Sequence, residues 1–154
     1  SAIQPTHESK LRFFGAIGGT PVAHAEKLYE VTAIMEKPTP TQAEQSLIVA
    51  GQRSGYYLCF FGMHVLTPTI MDLLAEAKSA VANTRTDASA SLNLSDSLRK
   101  LIQREKYLAF QIQGQRFNIG ETYGLLIAQM ALALSGPDRD RILVELIELL
   151  ARPK

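Results

Sequence analysis

The chain has 154 residues, and 16 Lys and Arg against 15 Asp and Glu leave a formal net charge of +1. With 46% hydrophobic and 20% charged residues it has the composition of one globular domain, which excludes global disorder, and its basic residues are too scattered for a protein built around nucleic acid. The most apolar stretches, 56–66 and 124–134, fall short of the roughly 18–20 residues that a bilayer span requires, so no membrane partner is expected.

The opening Ser1-Ala2-Ile3-Gln4-Pro5 has neither a basic nor an apolar region and does not read as a signal peptide. It also lacks an initiator Met, so the chain is expected to be processed or to be a piece of something longer. Phe13 to Ile17 and Leu28 to Met35 are rich in aromatic and β-branched residues, and Gly18-Gly19-Thr20-Pro21 between them reads as a turn joining two strands. Tyr56 to Val65 is so continuously apolar that it predicts a strand buried on both faces. Cys59, the one cysteine, lies within it; an intramolecular disulfide is impossible, which fits a reducing, cytoplasmic setting.

Thr67-Pro68 opens a predicted helix running through Ile70, Leu73 and Leu74 to about Ala77. The Ala-, Ser- and Thr-rich stretch that follows, 79–93, is expected to be a mobile surface loop. Ser95 is expected to cap a second helix carrying Leu98, Leu101 and Ile102. Tyr107 to Ile112 and Arg116 to Ile119 read as strands around Gln113-Gly114-Gln115, and a third helix spans Thr122 to Leu134, stopped by Gly136-Pro137. The last helix, Asp138 to Ala151, has a stripe including Ile142, Leu146 and Leu149 that is broader than one contact surface needs, with Arg141–Glu145 and Glu148–Arg152 expected as pairs on its solvated side. No internal repeat is visible. Interleaved strands and helices predict an α/β architecture: a sheet-bearing domain over 1–137 and a C-terminal helix over 138–154.

Most chemical signatures fail. His7, His24 and His64 are far apart and lack zinc-ligand spacing, and Cys59 reads as a small core hydrophobe. Gly15-Ala16-Ile17-Gly18-Gly19-Thr20 lacks the Lys-Ser/Thr ending of a phosphate loop and precedes a strand. Asp138-Arg139-Asp140 reads as a helix start whose acids complement the dipole. Glu36-Lys37-Pro38 differs: Pro38 ends a strand, so an acid and a base are displayed where ligands bind in open α/β sheets. Glu accepts hydrogen bonds from hydroxyls, and Lys supplies a point charge for phosphate.

Taken in order, Phe14-Gly15-Ala16-Ile17, YEVTAIMEKPTP (29–40), YLCFFGMHVLTPTIMDLL (57–74), LNLSDSLRKLI (92–102) and QGQRFNIGETYGLLIAQMALAL (113–134) resemble the C-terminal half of the sugar-1-phosphate nucleotidyltransferases. In particular they are similar to the bacterial UTP:glucose-1-phosphate uridylyltransferases. The resemblance implies the C-terminal part of a nucleotide-diphospho-sugar transferase, Rossmann-like fold: a mixed sheet with packed helices. It implies that Gly15 approaches the sugar, Glu36 binds sugar hydroxyls and Lys37 binds phosphate. It implies magnesium for the intact family, UTP and glucose-1-phosphate as substrates, and an oligomer.

Three departures qualify what is implied. Asn118 stands where the family carries an Asp that helps to hold magnesium. Ser91-Leu92-Asn93 replaces the family's Gly-Glu before Leu94-Ser95-Asp96. Nothing matches the family's glycine-rich nucleotide loop or its strand-end Asp. The sequence therefore predicts the sugar-phosphate side of such a site, inactive alone and without a tight magnesium site, with a missing N-terminal half or a homo-oligomer as the expected protein partner. The alternatives are a non-catalytic relative that binds a sugar phosphate or sugar nucleotide, and a structural or assembly subunit.

Overall fold

The computed structural model describes residues 1–83 and 93–152, which fall into two compact units, Ser1–Gln113 and Gly114–Lys154. Residues 84–92, most of the expected mobile loop, lie outside the described residues.

The first unit is built on five strands: β1 (Ala2–His7), β2 (Gly15–Pro21), β3 (Leu28–Glu36), β4 (Tyr56–Phe60) and β5 (Leu108–Gln111). Their order is β1-β4-β2-β3-β5, and a short parallel pairing of β5 with β1 closes the sheet on itself. All other pairings are antiparallel. The mixed sheet with packed helices expected from the sequence is therefore present.

Alternation along the strands sends side chains to two layers. On one face Ile17, Leu58, Phe60 and Ile34 join Ile70 and Leu73 of α2 (Thr69–Asn83) and Leu98 and Leu101 of α3 (Leu94–Leu101). On the other, Ala16, Tyr57 and Cys59 join Leu11 of a short 3-10 helix (Glu8–Phe13) and Ala43 and Leu47 in and after α1 (Pro40–Ser46). Full burial of Leu98 and Leu101 is worth about 1.5–3 kcal/mol each, which holds the short α3 in place.

Several local expectations change. Gly18-Gly19-Thr20-Pro21 is not a turn but the second half of β2, and the chain reverses later, over 22–27. The glycines serve close packing: a Cβ on Gly18 would lie 2.9 Å from the Ser46 carbonyl oxygen, and one on Gly19 would lie 2.5 Å from that of Glu30. Between them the register slips, Gly18 facing Ala33 and Gly19 facing Val31, so Thr32 is an extra residue on β3. The strand expected over 56–65 stops at Phe60, and Gly62 (φ +101°) turns the chain away. α2 continues past Ala77 into the stretch expected to be loop. β1 and α1 were not foreseen.

The second unit holds α4 (Gly124–Leu134) and α5 (Arg139–Ala151), the third and fourth helices expected. No strand forms over Arg116–Ile119, because the Asn118 side chain and carbonyl take the amides of Gly120 and Glu121 in a turn. In α5, Arg141 pairs with Asp138 at 3.7 Å, rather than with Glu145 as expected.

Beyond β4, the 61–68 segment is tied to the start of β5 by two side-chain bonds: the Thr67 hydroxyl donates to Glu105 Oε1 at 2.6 Å, and His64 Nδ1 meets the Tyr107 hydroxyl at 2.8 Å. Burial holds the His64 imidazole below its ordinary value of 6.5 and raises the Tyr107 phenol. A folded state that favours neutral imidazole binds fewer protons than the unfolded chain. The stability from neutral His64 is complete above about pH 6.5 and is lost as pH falls below it. Melting temperature measured from pH 7.5 to 5 should fall, and His64→Gln should remove part of that acid-side fall; identical slopes would place the acid sensitivity elsewhere.

Candidate functional site

Pro38 cannot continue the β3 ladder, so the strand ends by presenting Glu36 and Lys37 side by side at the edge of the sheet. Lys37 takes a left-handed conformation (φ +47°) fixed by its backbone amide, which donates to the Phe14 carbonyl at 3.2 Å. Its side chain is exposed and makes no ion pair among the described residues. Thr39, two residues on, caps α1 through a reciprocal bond with Gln42, so the loop carrying Lys37 is anchored at both ends.

Gly15 stands directly opposite Glu36 in the β2–β3 register and is buried. A Cβ there would meet Glu36 Oε2 at 2.9 Å, Phe60 at 3.0 Å and Ser95 Oγ at 3.2 Å, so any side chain at this position would have to displace its neighbours. The three residues singled out from the sequence, Gly15, Glu36 and Lys37, are thus together at one strand end.

Ser95 completes the cluster and was misread as a helix cap. Asn93 is the cap, its side chain accepting from the Asp96 amide at 2.8 Å. Ser95 is thereby placed in the first turn of α3, and its hydroxyl donates to Glu36 Oε2 at 2.6 Å. α3 is fixed against β3 a second time by Arg99, whose Nε donates to the Ile34 carbonyl at 3.2 Å while its guanidinium pairs with Asp96 at 2.9 Å. The sequence signal for Ser95 was Asn93, an equally good cap two positions earlier that leaves the serine hydroxyl free.

Glu36 also lies at one end of a cleft of about 720 Å³ along the part of β3 that has no β5 partner, between Gln42 and Ser46 of α1 and Arg99 and Gln103 in and after α3. A carboxylate with one oxygen held against a wall without a side chain can accept hydroxyl donors, and the exposed ammonium of the next residue in the chain can neutralise an anion.

Asn118 belongs to the second unit. Its Oδ1 accepts from the Gly120 amide at 3.1 Å, and no cluster of three or more His, Cys, Asp or Glu suited to a metal occurs among the described residues. A neutral amide oxygen that already accepts a backbone bond is a poor match for magnesium, which prefers hard, anionic oxygens in octahedral geometry. Among the described residues no helix is long and apolar enough to cross a membrane.

No protein-family model matches the chain. It is 26% identical over 148 residues to a UTP–glucose-1-phosphate uridylyltransferase of Staphylococcus epidermidis, covering 96% of this chain and 44% of that protein. It is 26% identical over 127 residues to the enzyme of the same name from Pseudomonas aeruginosa, covering 82% and 38%. The crystal structure of a UDP-glucose pyrophosphorylase complexed with UDP-glucose matches with a TM-score of 0.60 at 25% identity, over 88% of this chain and 44% of that one. A UTP-bound relative from Acinetobacter baumannii matches in fold, with a TM-score of 0.59 at 22% identity over 95% of this chain and 43% of its own. The chain spans less than half the length of the curated relatives it matches. The likeness carried by the ordered motifs, and the nucleotidyltransferase fold it implied, are borne out.

Gly15→Ala is expected to break the Ser95–Glu36 bond, since the new methyl group meets both partners. The expected loss of stability is about 1–3 kcal/mol by urea denaturation, with Glu36 swung outward in a crystal structure of the variant. A variant of unchanged stability and unchanged Glu36 position would show that the cluster accommodates a methyl group with the Ser95–Glu36 bond intact.

Proposed function

Starting from a chain similar over nearly its whole length to UTP–glucose-1-phosphate uridylyltransferases, we propose that Gly15, Glu36 and Lys37 form the sugar-phosphate side of a uridylyltransferase-type site. The observation that carries this reading is the Gly15–Glu36–Ser95 cluster with an unpaired Lys37 beside it. Glu36 accepts hydrogen bonds from sugar hydroxyls, Gly15 lets the sugar approach the sheet, and Lys37 lies against the phosphate. In the complete reaction an oxygen of the sugar phosphate attacks the α-phosphorus of UTP and pyrophosphate leaves. Lys37 would hold the attacking phosphate and offset its charge as the new bond forms. Glucose-1-phosphate and UDP-glucose are the ligands that the relatives' names suggest. Residues 1–154 supply neither a glycine-rich nucleotide loop nor an acid at position 118, so this stretch alone is expected to bind without turning over.

Titration calorimetry tests the binding half. The chain should bind glucose-1-phosphate or UDP-glucose, and Lys37→Ala should abolish binding while leaving the melting temperature almost unchanged, because the side chain is exposed. Unchanged affinity would remove Lys37 from the site.

A second reading, a non-catalytic relative that binds a sugar nucleotide, is favoured by Asn118. The two readings differ in a pyrophosphate-release assay with UTP, glucose-1-phosphate and magnesium. We expect no turnover above background from this stretch. If a longer form of the protein is also inactive and Asn118→Asp restores turnover, the non-catalytic reading prevails; turnover by residues 1–154 overturns that reading and the expectation that this stretch is inactive alone.

Self-association is the third element of the proposal. In the second unit Leu125, Leu126 and Ile127 of α4 and Val144, Ile147 and Leu150 of α5 are at least half exposed. Of the stripe residues expected to be partly buried between chains or against a neighbouring surface, Ile142 and Leu146 are partly buried within this chain and Leu149 is exposed. Apolar surface of this kind marks a contact. Sedimentation equilibrium at micromolar concentration should show at least a dimer, weakened by Ile147→Glu with Leu150→Glu; a monomer of 16.9 kDa at tenfold higher concentration would refute it.

A further inference from the structure

Ser95 touches the candidate site without being open to it. It is 5% exposed, and its Oγ is engaged in a 2.6 Å hydrogen bond to Glu36 Oε2. Glu36 by contrast is exposed, at the last residue of a strand, where a carboxylate on two methylenes ordinarily samples several rotamers. Three features fix the serine itself. Asn93 caps the helix just before it, Leu98 and Leu101 bury the following turns, and Arg99 ties the helix to the β3 main chain. Gly15 leaves just enough room, since its absent Cβ would lie 3.2 Å from Ser95 Oγ and 2.9 Å from Glu36 Oε2.

We infer that Ser95 is a positioning residue for sugar recognition: its buried hydroxyl holds Oε2 of Glu36 so that Oε1 is presented, in one orientation, to the hydroxyls of a sugar phosphate. This rests on the reading of Glu36 as the sugar-binding carboxylate. A hydroxyl donating to a carboxylate is a strong hydrogen bond, and a rotamer fixed before binding need not be ordered during it. The consequence is selective. Ser95 strengthens recognition of the sugar and leaves recognition of the phosphate, which falls to Lys37, untouched.

The test is titration calorimetry of the full chain with two probes, glucose-1-phosphate and inorganic phosphate, in the parent, Ser95→Ala and Ser95→Thr. Alanine favours the helix, so α3 should persist, and circular dichroism melting checks that it does. We expect Ser95→Ala to weaken glucose-1-phosphate about three- to tenfold, with inorganic phosphate unchanged, and Ser95→Thr, which keeps the hydroxyl, to restore sugar-phosphate binding. Equal weakening of both probes would show a structural role and overturn the inference. So would unchanged glucose-1-phosphate affinity in Ser95→Ala, even where the parent binds and Lys37→Ala does not, and in that case the functional reading above would stand. A parent chain that binds neither probe overturns that reading and this inference together.

Discussion

The first unit is governed by the need to cover a sheet on both faces. Ala16, Ile17, Leu58 and Cys59 in β2 and β4 are fully buried, and consecutive residues on a strand point in opposite directions. Neither strand can therefore leave a face to water. The two layers of helix, α2 with α3 and the 3-10 helix with α1, answer that demand. α3 is held by the buried Leu98 and Leu101, so its first turn meets the end of β3 at a fixed distance. The site geometry is thus a by-product of core packing: a serine one turn before the buried leucines can reach a glutamate at a strand end because both elements are anchored elsewhere.

The division of labour within the cluster follows from exposure. Buried groups do the holding, with Gly15 giving space, Ser95 giving a hydrogen bond and Phe60 closing the wall. Exposed groups do the meeting, with Glu36 and Lys37 adjacent but differently restrained. The carboxylate is held by a side-chain bond, whereas the lysine is restrained through its backbone, in a left-handed conformation with its amide bonded to Phe14. A long flexible ammonium suits a phosphate whose position changes during a reaction, and a held carboxylate suits a sugar whose hydroxyls must be told apart.

The sequence disclosed this site unevenly. Glu36-Lys37-Pro38 was visible because Pro marks where a strand must stop, and the order of motifs turned a plain strand end into a candidate. Gly15 came through the same order. Ser95 was hidden because a hydroxyl before an amphipathic helix reads as a cap, and only the placement of Asn93 shows that the role was already filled. β1 was missed because Gln4, Pro5 and Thr6 carry no alternating apolar signal. The Gly-Gly-Thr-Pro stretch was misread because a turn and a bulged strand both call for residues without a side chain; composition records the steric demand and not its cause. At Arg116–Ile119 an alternating pattern was overridden by the local hydrogen bonding of Asn118. The exposed apolar face of α5 was recognised as too broad, but which of its residues turn inward depends on how it packs with α4.

The bulge at Thr32 sets the phase of everything after it. Before it, the odd-numbered Tyr29 and Val31 face the α2–α3 layer; after it, the even-numbered Ile34 does, while Ala33 and Met35 face α1. Glu36 shares the parity of Ile34, and so its carboxylate emerges on the side where Ser95 waits. In an unbulged strand the same glutamate would emerge on the opposite side, the side of Ala16 and α1, with Met35 and Lys37 exchanged onto the face it left. The handedness of this strand end is therefore encoded in a count of residues rather than in their identity. Between Glu30 and Ile34 the chain can tolerate changes of side chain more readily than the loss of a single peptide unit, and relatives that preserve the glutamate but differ by one residue in this strand would carry it on the wrong face.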